Sequence, residues 1–285
     1  MLRPSVRIQG KILWSVLAAI AAAGILETSG ILGTENFAEN WFFTHVVLLL
    51  PLLAFGVHGW WTIGGRRTFL FFLISAGIGL MVESLGVRNG VLFGGSYQYV
   101  RGIPSITDIP ILIPLYWCIF TYTCHMLISS IFLWQPTART FFVKHRILTP
   151  VLMVLLEALA VVSIDMVMDP LMVQAGNWTW SAGGIYAGIP AGNFLGWFLV
   201  SCLICGVFHL IAPFRSNREA TQTYPPGFLL FPVLGYALLG ITLGIDAVRI
   251  GLYLPALTGL LTMMPWPVIS LVSYQKYIRQ RSQGR

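Results

Sequence analysis

Eight apolar runs of about 20 residues each dominate this 285-residue chain, at about 12–33, 41–63, 68–87, 109–134, 147–169, 190–212, 226–246 and 250–273. A run of that length crosses the roughly 30 Å hydrocarbon core of a bilayer as an α-helix. The apolarity is continuous rather than alternating, which selects helices over the two-residue repeat of a membrane barrel. Only 9% of residues are charged and mean hydropathy is +0.79, whereas a soluble domain carries about 25% charged residues. Such a chain cannot coat a water-exposed globule, and in lipid its backbone must satisfy itself internally. The expected fold is all-α: a polytopic transmembrane helix bundle of about eight spans, with residues 1–285 forming a single integral membrane domain.

The net charge of +7 could suggest a nucleic-acid partner. Its distribution argues against one. Fourteen of the 17 basic residues precede the first run, follow an even-numbered run or end the chain, leaving Arg88, Arg101 and Arg249 on the other side. That asymmetry is a topology signal, and it predicts both termini in the cytoplasm of a multi-pass plasma-membrane protein. The first run, with basic residues before it and Ala21-Ala22-Ala23 within it, also has features of a cleavable signal. Its apolar stretch continues to Leu32, which favours a retained span. The four cysteines, Cys118, Cys124, Cys202 and Cys205, all lie within apolar runs and read as small packing residues.

With ten acidic residues, each can be placed individually. Glu35, Glu39 and Glu219 fall in loops. The odd-numbered runs, all oriented outward, carry Glu27, Glu83, the pair Asp165 and Asp169, and Asp246 in their outer parts, while Asp108 opens the fourth run on that side. Glu157 alone sits near mid-bilayer. A charge at the bilayer centre costs about 2.5–3.5 kcal/mol on insertion scales, so such groups face the bundle interior or water and mark function. The competing explanation is an interhelical polar lock through partners such as Asn193. Asp165 and Asp169 are four apart and share a helix face. Like charges there repel, so one is expected to keep its proton near neutral pH, the equipment of general acid–base chemistry. His58, His125 and His209 show no metal-ligand spacing and read as satisfied interior side chains.

Two outer loops, roughly 88–108 and 170–189, are rich in glycine and aromatic residues. Tyr97, Tyr99, Trp178, Trp180 and Tyr186 fit either an aromatic belt at headgroup level or a lid over an apolar pocket.

Four segments carry a family resemblance: ESLGVRNGVLFGGSYQY at 83–99, IPILIPLYW at 109–117, DMVMDPLMVQAGNWTW at 165–180 and YAGIPAGNFLGW at 186–197. In order and spacing they resemble the membrane-bound carotenoid hydratases of the carotenoid-biosynthesis membrane proteins. The first two and last two runs match only as hydrophobic segments, and VRGIPSITD at 100–108 departs from the pattern. The resemblance implies addition of water to the terminal C1=C2 bond of an acyclic carotenoid dissolved in the bilayer, without metal or redox cofactor. The partners it implies are that carotenoid, water, membrane lipids and enzymes of the carotenoid pathway. On it, Asp165 and Asp169 are the expected proton-donating pair, with Glu83 as their electrostatic partner or water-orienting base. Asn193 holds the water, and Tyr97, Tyr186, Trp178 and Trp197 stabilise a cation through their faces. Tyr99, Trp180, Glu27 and Asp246 complete the expected substrate surroundings.

Three other classes remain open from the residues. A carotenoid- or lipid-binding protein or transporter would use buried acids for binding or proton paths. A lycopene-cyclase-like enzyme begins with the same protonation. A prenyltransferase-like enzyme would use the D-x-x-x-D of Asp165 and Asp169 for magnesium, but the chain offers no second such motif.

Overall fold

A computed structural model describes residues 4–28, 41–90, 92–101, 103–135, 140–141, 144–145, 148–212 and 226–283. Helices α1 (Pro4–Thr28) and α2 (Trp41–Thr62) cover the first two expected spans, except residues 29–33, which lie outside the described residues. They are followed by α3 (Gly65–Asn89), α4 (Leu112–Trp134), α5 (Leu148–Gln174), α6 (Ala191–Ile211), α7 (Leu230–Arg249), α8 (Tyr253–Met263) and α9 (Pro265–Gln283). A 3₁₀ turn, Pro226–Leu229, leads into α7. Among the described residues, α3 to α7 and the segment Tyr253–Gln280 are six elements long and apolar enough to cross a membrane. The chain is a multi-pass helical membrane protein.

The helix α4 is the central pillar: it packs against α2, α3, α5, α6, α7 and α9. Nearly all of its side chains are buried, whereas α3, α6 and α7 each leave more than half of theirs only partly buried or exposed. Those outward faces carry leucine and isoleucine, as expected where the solvent is lipid.

Several element boundaries differ from the sequence expectation: α1 starts at Pro4 and α9 runs to Gln283, and three further differences have a local cause. The fourth run does not begin as a helix, because Ile109–Pro110 is strand β3, paired antiparallel with β2 (Ser105–Ile106). Asp108 occupies the exposed turn of that ribbon at φ +68°, so it does not open a span. The eighth run is two helices that meet at Met264, where Pro265 starts α9 and cannot continue the preceding hydrogen-bond ladder. Finally, α5 runs five residues past the expected end and through Pro170. A proline inside a helix leaves the carbonyl four residues earlier without its N–H donor. Here that carbonyl, on Met166, accepts the Tyr186 hydroxyl at 2.8 Å. An outside phenol thus supplies what the proline lacks, and Asp169 stays within regular helix.

One end of the bundle brings together the C-terminal parts of α3 and α5 and the N-terminal parts of α4 and α6. The strands β1 (Tyr97–Tyr99) and β4 (Trp178–Trp180) pair antiparallel there, in the register Tyr97↔Trp180, Gln98↔Thr179, Tyr99↔Trp178.

Candidate functional site

Side chains along a strand alternate between its two faces. In the β1–β4 ribbon the consequence is a clean division. Gln98 and Thr179 are exposed, and Tyr97, Tyr99, Trp178 and Trp180 turn inward. Tyr97 and Trp178 are buried, Tyr97 packs on Trp180 with ring centroids 4.8 Å apart, and Tyr99 meets Trp178 edge-on at 5.7 Å. Of the two sequence expectations for these loops, a headgroup belt and a lid, the inward-facing rings form the lid.

Beneath it lie the acids. Glu83 on α3 is 3% exposed, Asp165 and Asp169 on α5 are 0% and 2%, and Asn193 on α6 is 2%. Three donors converge on Glu83: Tyr97 Oη and Tyr99 Oη (2.8 Å) donate to Oε2, and Trp117 Nε1 donates to Oε1 at 3.1 Å. Asp169 Oδ1 accepts from Trp178 Nε1. The two hydrogens of Asn193 Nδ2 divide between the aspartates, donating to Asp165 Oδ2 and Asp169 Oδ2 at 2.8 Å each. Asp165 Oδ1 is buried without a hydrogen-bond partner. The indole nitrogen of Trp180 lies near Asp169 but outside hydrogen-bond geometry. The expected sharing of one face by Asp165 and Asp169 is thus realised through a single amide.

Burial first, and then the adjacent Glu83 charge, pushes the Tyr97 and Tyr99 phenols well above their ordinary value of 10. Both remain O–H donors to Glu83 across the physiological range.

Glycines make room for this packing. A Cβ on Gly79 would sit 2.6 Å from the Trp117 ring, and one on Gly86 would lie 2.5 Å from the Phe93 ring and 2.9 Å from the Tyr97 hydroxyl. Gly86 is three residues after Glu83, so the bare backbone there is what lets the lid tyrosine reach the carboxylate.

Between lid and acids is a cavity of about 30 Å³, touched by Glu83, Asp169, Asn193, Trp117 and Trp197 among others. A buried water needs at least about 10–15 Å³ of such space, so the cavity has room for a water or two. Trp117 and Trp197 stack with centroids 4.4 Å apart and interplanar angle 28°, forming an aromatic wall.

Two expected site residues stand elsewhere, and a third has no described side chain. Tyr186 does not line the cavity; its hydroxyl is committed to Met166, and its ring packs edge-on to Phe194. Asp246 sits on the partly exposed end of α7, with Oδ1 3.8 Å from Arg249 Nη1, three residues on. It is not among the residues that line the cavity. Glu27 is on the last turn of α1, and its side chain lies outside the described residues. Conversely, Trp117, Tyr116 and Phe93 line the cavity without having been singled out. Aromatic residues in apolar runs carry no signal that separates a pocket wall from ordinary packing.

His58, His125 and His209 are buried and hydrogen-bonded, as expected of interior side chains. What sequence spacing does not show is that His125 and His209 meet at one carboxylate. Both turn a ring nitrogen to Glu157, with His125 Nδ1 2.9 Å from Oε1 and His209 Nε2 3.1 Å from the same oxygen. His58 stands apart, bonded to Tyr122 Oη at 2.8 Å and to the Phe228 carbonyl at 3.2 Å.

Comparison with known proteins gives one finding of identity. The family model described as carotenoid biosynthesis protein matches residues 43–265, a stretch that includes every element of the acid cluster and its lid. No curated protein and no solved structure matches the chain significantly.

Proposed function

We propose, from the premise that this chain belongs to the carotenoid biosynthesis protein family, that it is a carotenoid 1,2-hydratase. It adds water across the terminal C1=C2 bond of an acyclic carotenoid end group and yields a tertiary alcohol. The observation that carries this reading is the pair Asp165 and Asp169, joined by the Asn193 amide beside a water-sized, aromatic-walled cavity, with no lysine or arginine bonded to either carboxylate among the described residues.

Two carboxylates facing one amide without a cation cannot both hold full charge at reasonable cost, so the pair shares a proton. Asp169, whose side chain lines the cavity, delivers it to C2. The alkene electron pair forms the new C2–H bond and leaves a cation at C1, the more substituted carbon. Glu83, held by three donors, is the countercharge for that cation. The Trp117 and Trp197 faces add cation–π attraction of about 0.5–2 kcal/mol. Water attacks C1, and the proton it sheds returns to the aspartate pair, so the acid is regenerated and only water is consumed. Asn193 and Glu83 orient that water. Asp165, placed behind Asp169, sets the charge of the pair.

The setting suits the substrate. A long polyene lies in the hydrocarbon with its ends near the interfaces. On the distribution of basic residues, the acid cluster lies just beneath the non-cytoplasmic surface of the plasma membrane. The folded cavity is sized for water, so the end group enters as the β1–β4 lid lifts. Metal and redox groups play no part in this step, and bilayer lipids and other enzymes of carotenoid synthesis are its surroundings.

The test is mass analysis of pigments from a lycopene-producing host with and without the protein. Hydration adds the mass of water at one end or both. A product of unchanged mass would mean cyclisation, and unaltered pigment that copurifies with the protein would mean binding alone.

A further inference from the structure

A second buried polar cluster lies on α5, roughly 12 Å along the helix from Asp165, and the proposed reaction does not use it. Glu157 is fully buried. Its Oε1 is 2.9 Å from His125 Nδ1 on α4 and 3.1 Å from His209 Nε2 on α6, and Oε2 is 3.2 Å from the same nitrogen. One ligand atom from each residue lies within 4.8 Å of the others. The buried Cys205, one turn before His209 on α6, places its thiol beside the same carboxylate. No two of the three main residues share a helix, so the convergence belongs to the tertiary fold.

We propose that His125, Glu157 and His209 bind a divalent transition ion of the zinc class, with Cys205 positioned to supply a fourth ligand. Two imidazoles, a carboxylate and a thiol form a borderline-to-soft donor set, which selects zinc and its neighbours over magnesium or calcium. In apolar surroundings a carboxylate needs a countercharge. The two imidazoles and the carboxylate turn ligand atoms toward one common point, and an ion between the three supplies that countercharge and uses every donor. Three side chains form the cluster, and a shift of the neighbouring Cys205 thiol onto the ion would complete the tetrahedral set of a closed, structural site. Such an ion ties together α4, α5 and α6, whose far ends hold Trp117, Asp165 with Asp169, and Asn193 with Trp197. Its role is to fix the floor of the pocket, not to touch substrate.

The full chain, purified in detergent through a non-histidine affinity tag, is assayed for metals by mass spectrometry. The expected result is roughly one zinc-class ion per chain, with a Tm that drops by several degrees on chelation and recovers on adding zinc. Glu157→Gln and His209→Gln are expected to lose most of that metal, while Asp165→Asn retains it. Cobalt substitution is expected to give visible ligand-field bands. Loss of a near-ultraviolet thiolate band in Cys205→Ser would assign the fourth ligand, and absence of that band in the unaltered chain removes Cys205 from the set. Metal far below one per chain in the unaltered protein, together with no Tm response to added zinc, cobalt or ferrous iron, overturns the proposal and leaves a hydrogen-bonded histidine–carboxylate lock. These readouts do not depend on any carotenoid activity, and they decide the matter even where a variant fails to fold.

Discussion

One helix, α5, carries two buried acidic sites that differ in every partner. Glu157 is surrounded by bases: both of its oxygens face histidine nitrogens. Asp165 and Asp169, two and three turns further on, meet an amide and an indole, with no lysine, arginine or histidine bonded to either among the described residues. Burial is complete at both sites, so burial does not set their chemistry. What does is the neighbouring helix: α4 and α6 present His125 and His209 at one level, and α6 presents Asn193 at the other. A carboxylate among bases is a fixed countercharge. Carboxylates that have only neutral donors have to share a proton, and a shared proton is one that can be transferred. On the proposed function, the first site holds the bundle and the second supplies the acid.

Substitutions can break or sharpen this contrast. The largest effect is expected from Asp165→Asn and Asp169→Asn. Each should lower hydrated-pigment formation by about 10²–10⁴-fold, the range for loss of general acid–base catalysis, with little change in Tm. Full activity in both would end the acid-pair reading. Glu157→Gln should act the other way. Breaking a buried charge pair costs about 3–5 kcal/mol, visible as a fall in thermal stability, while the folded fraction still forms the same product. A collapse of turnover at unchanged Tm would erase the distinction between the sites.

Asn193→Leu unlinks the aspartates. It should cost about 1–3 kcal/mol of stability through unsatisfied acceptors and lower turnover about tenfold or more, measured on purified membranes. Tyr97→Phe and Tyr99→Phe each remove one of three donors to Glu83, so roughly fivefold in turnover, about 1 kcal/mol, is expected from either. Because burial and the Glu83 charge raise both phenols, the pH–rate profile of the unaltered protein should show no phenol ionisation below about pH 10. Asp246→Asn, at a partly exposed ion pair with Arg249, should change stability by less than about 0.5 kcal/mol and leave turnover unaltered. A large loss there would bring α7 into the site.

The amino-acid sequence by itself determined the membrane class, because continuous apolar runs without a polar coat have one stable solution in lipid. It also determined that Asp165 and Asp169 share a face, since that follows from helix periodicity alone, and that the loops at 88–108 and 170–189 are aromatic. Only the tertiary structure decided which way those aromatics face, because the β1–β4 register that turns Tyr97, Tyr99, Trp178 and Trp180 inward joins strands about 80 residues apart. The same holds for Trp117 on Glu83, for Tyr186 on the carbonyl freed by Pro170, and for the meeting of His125 and His209 at Glu157. Depth along a helix can be counted from the sequence, but rotation and neighbours are set by how helices pack, and an acid's chemistry depends on its neighbours.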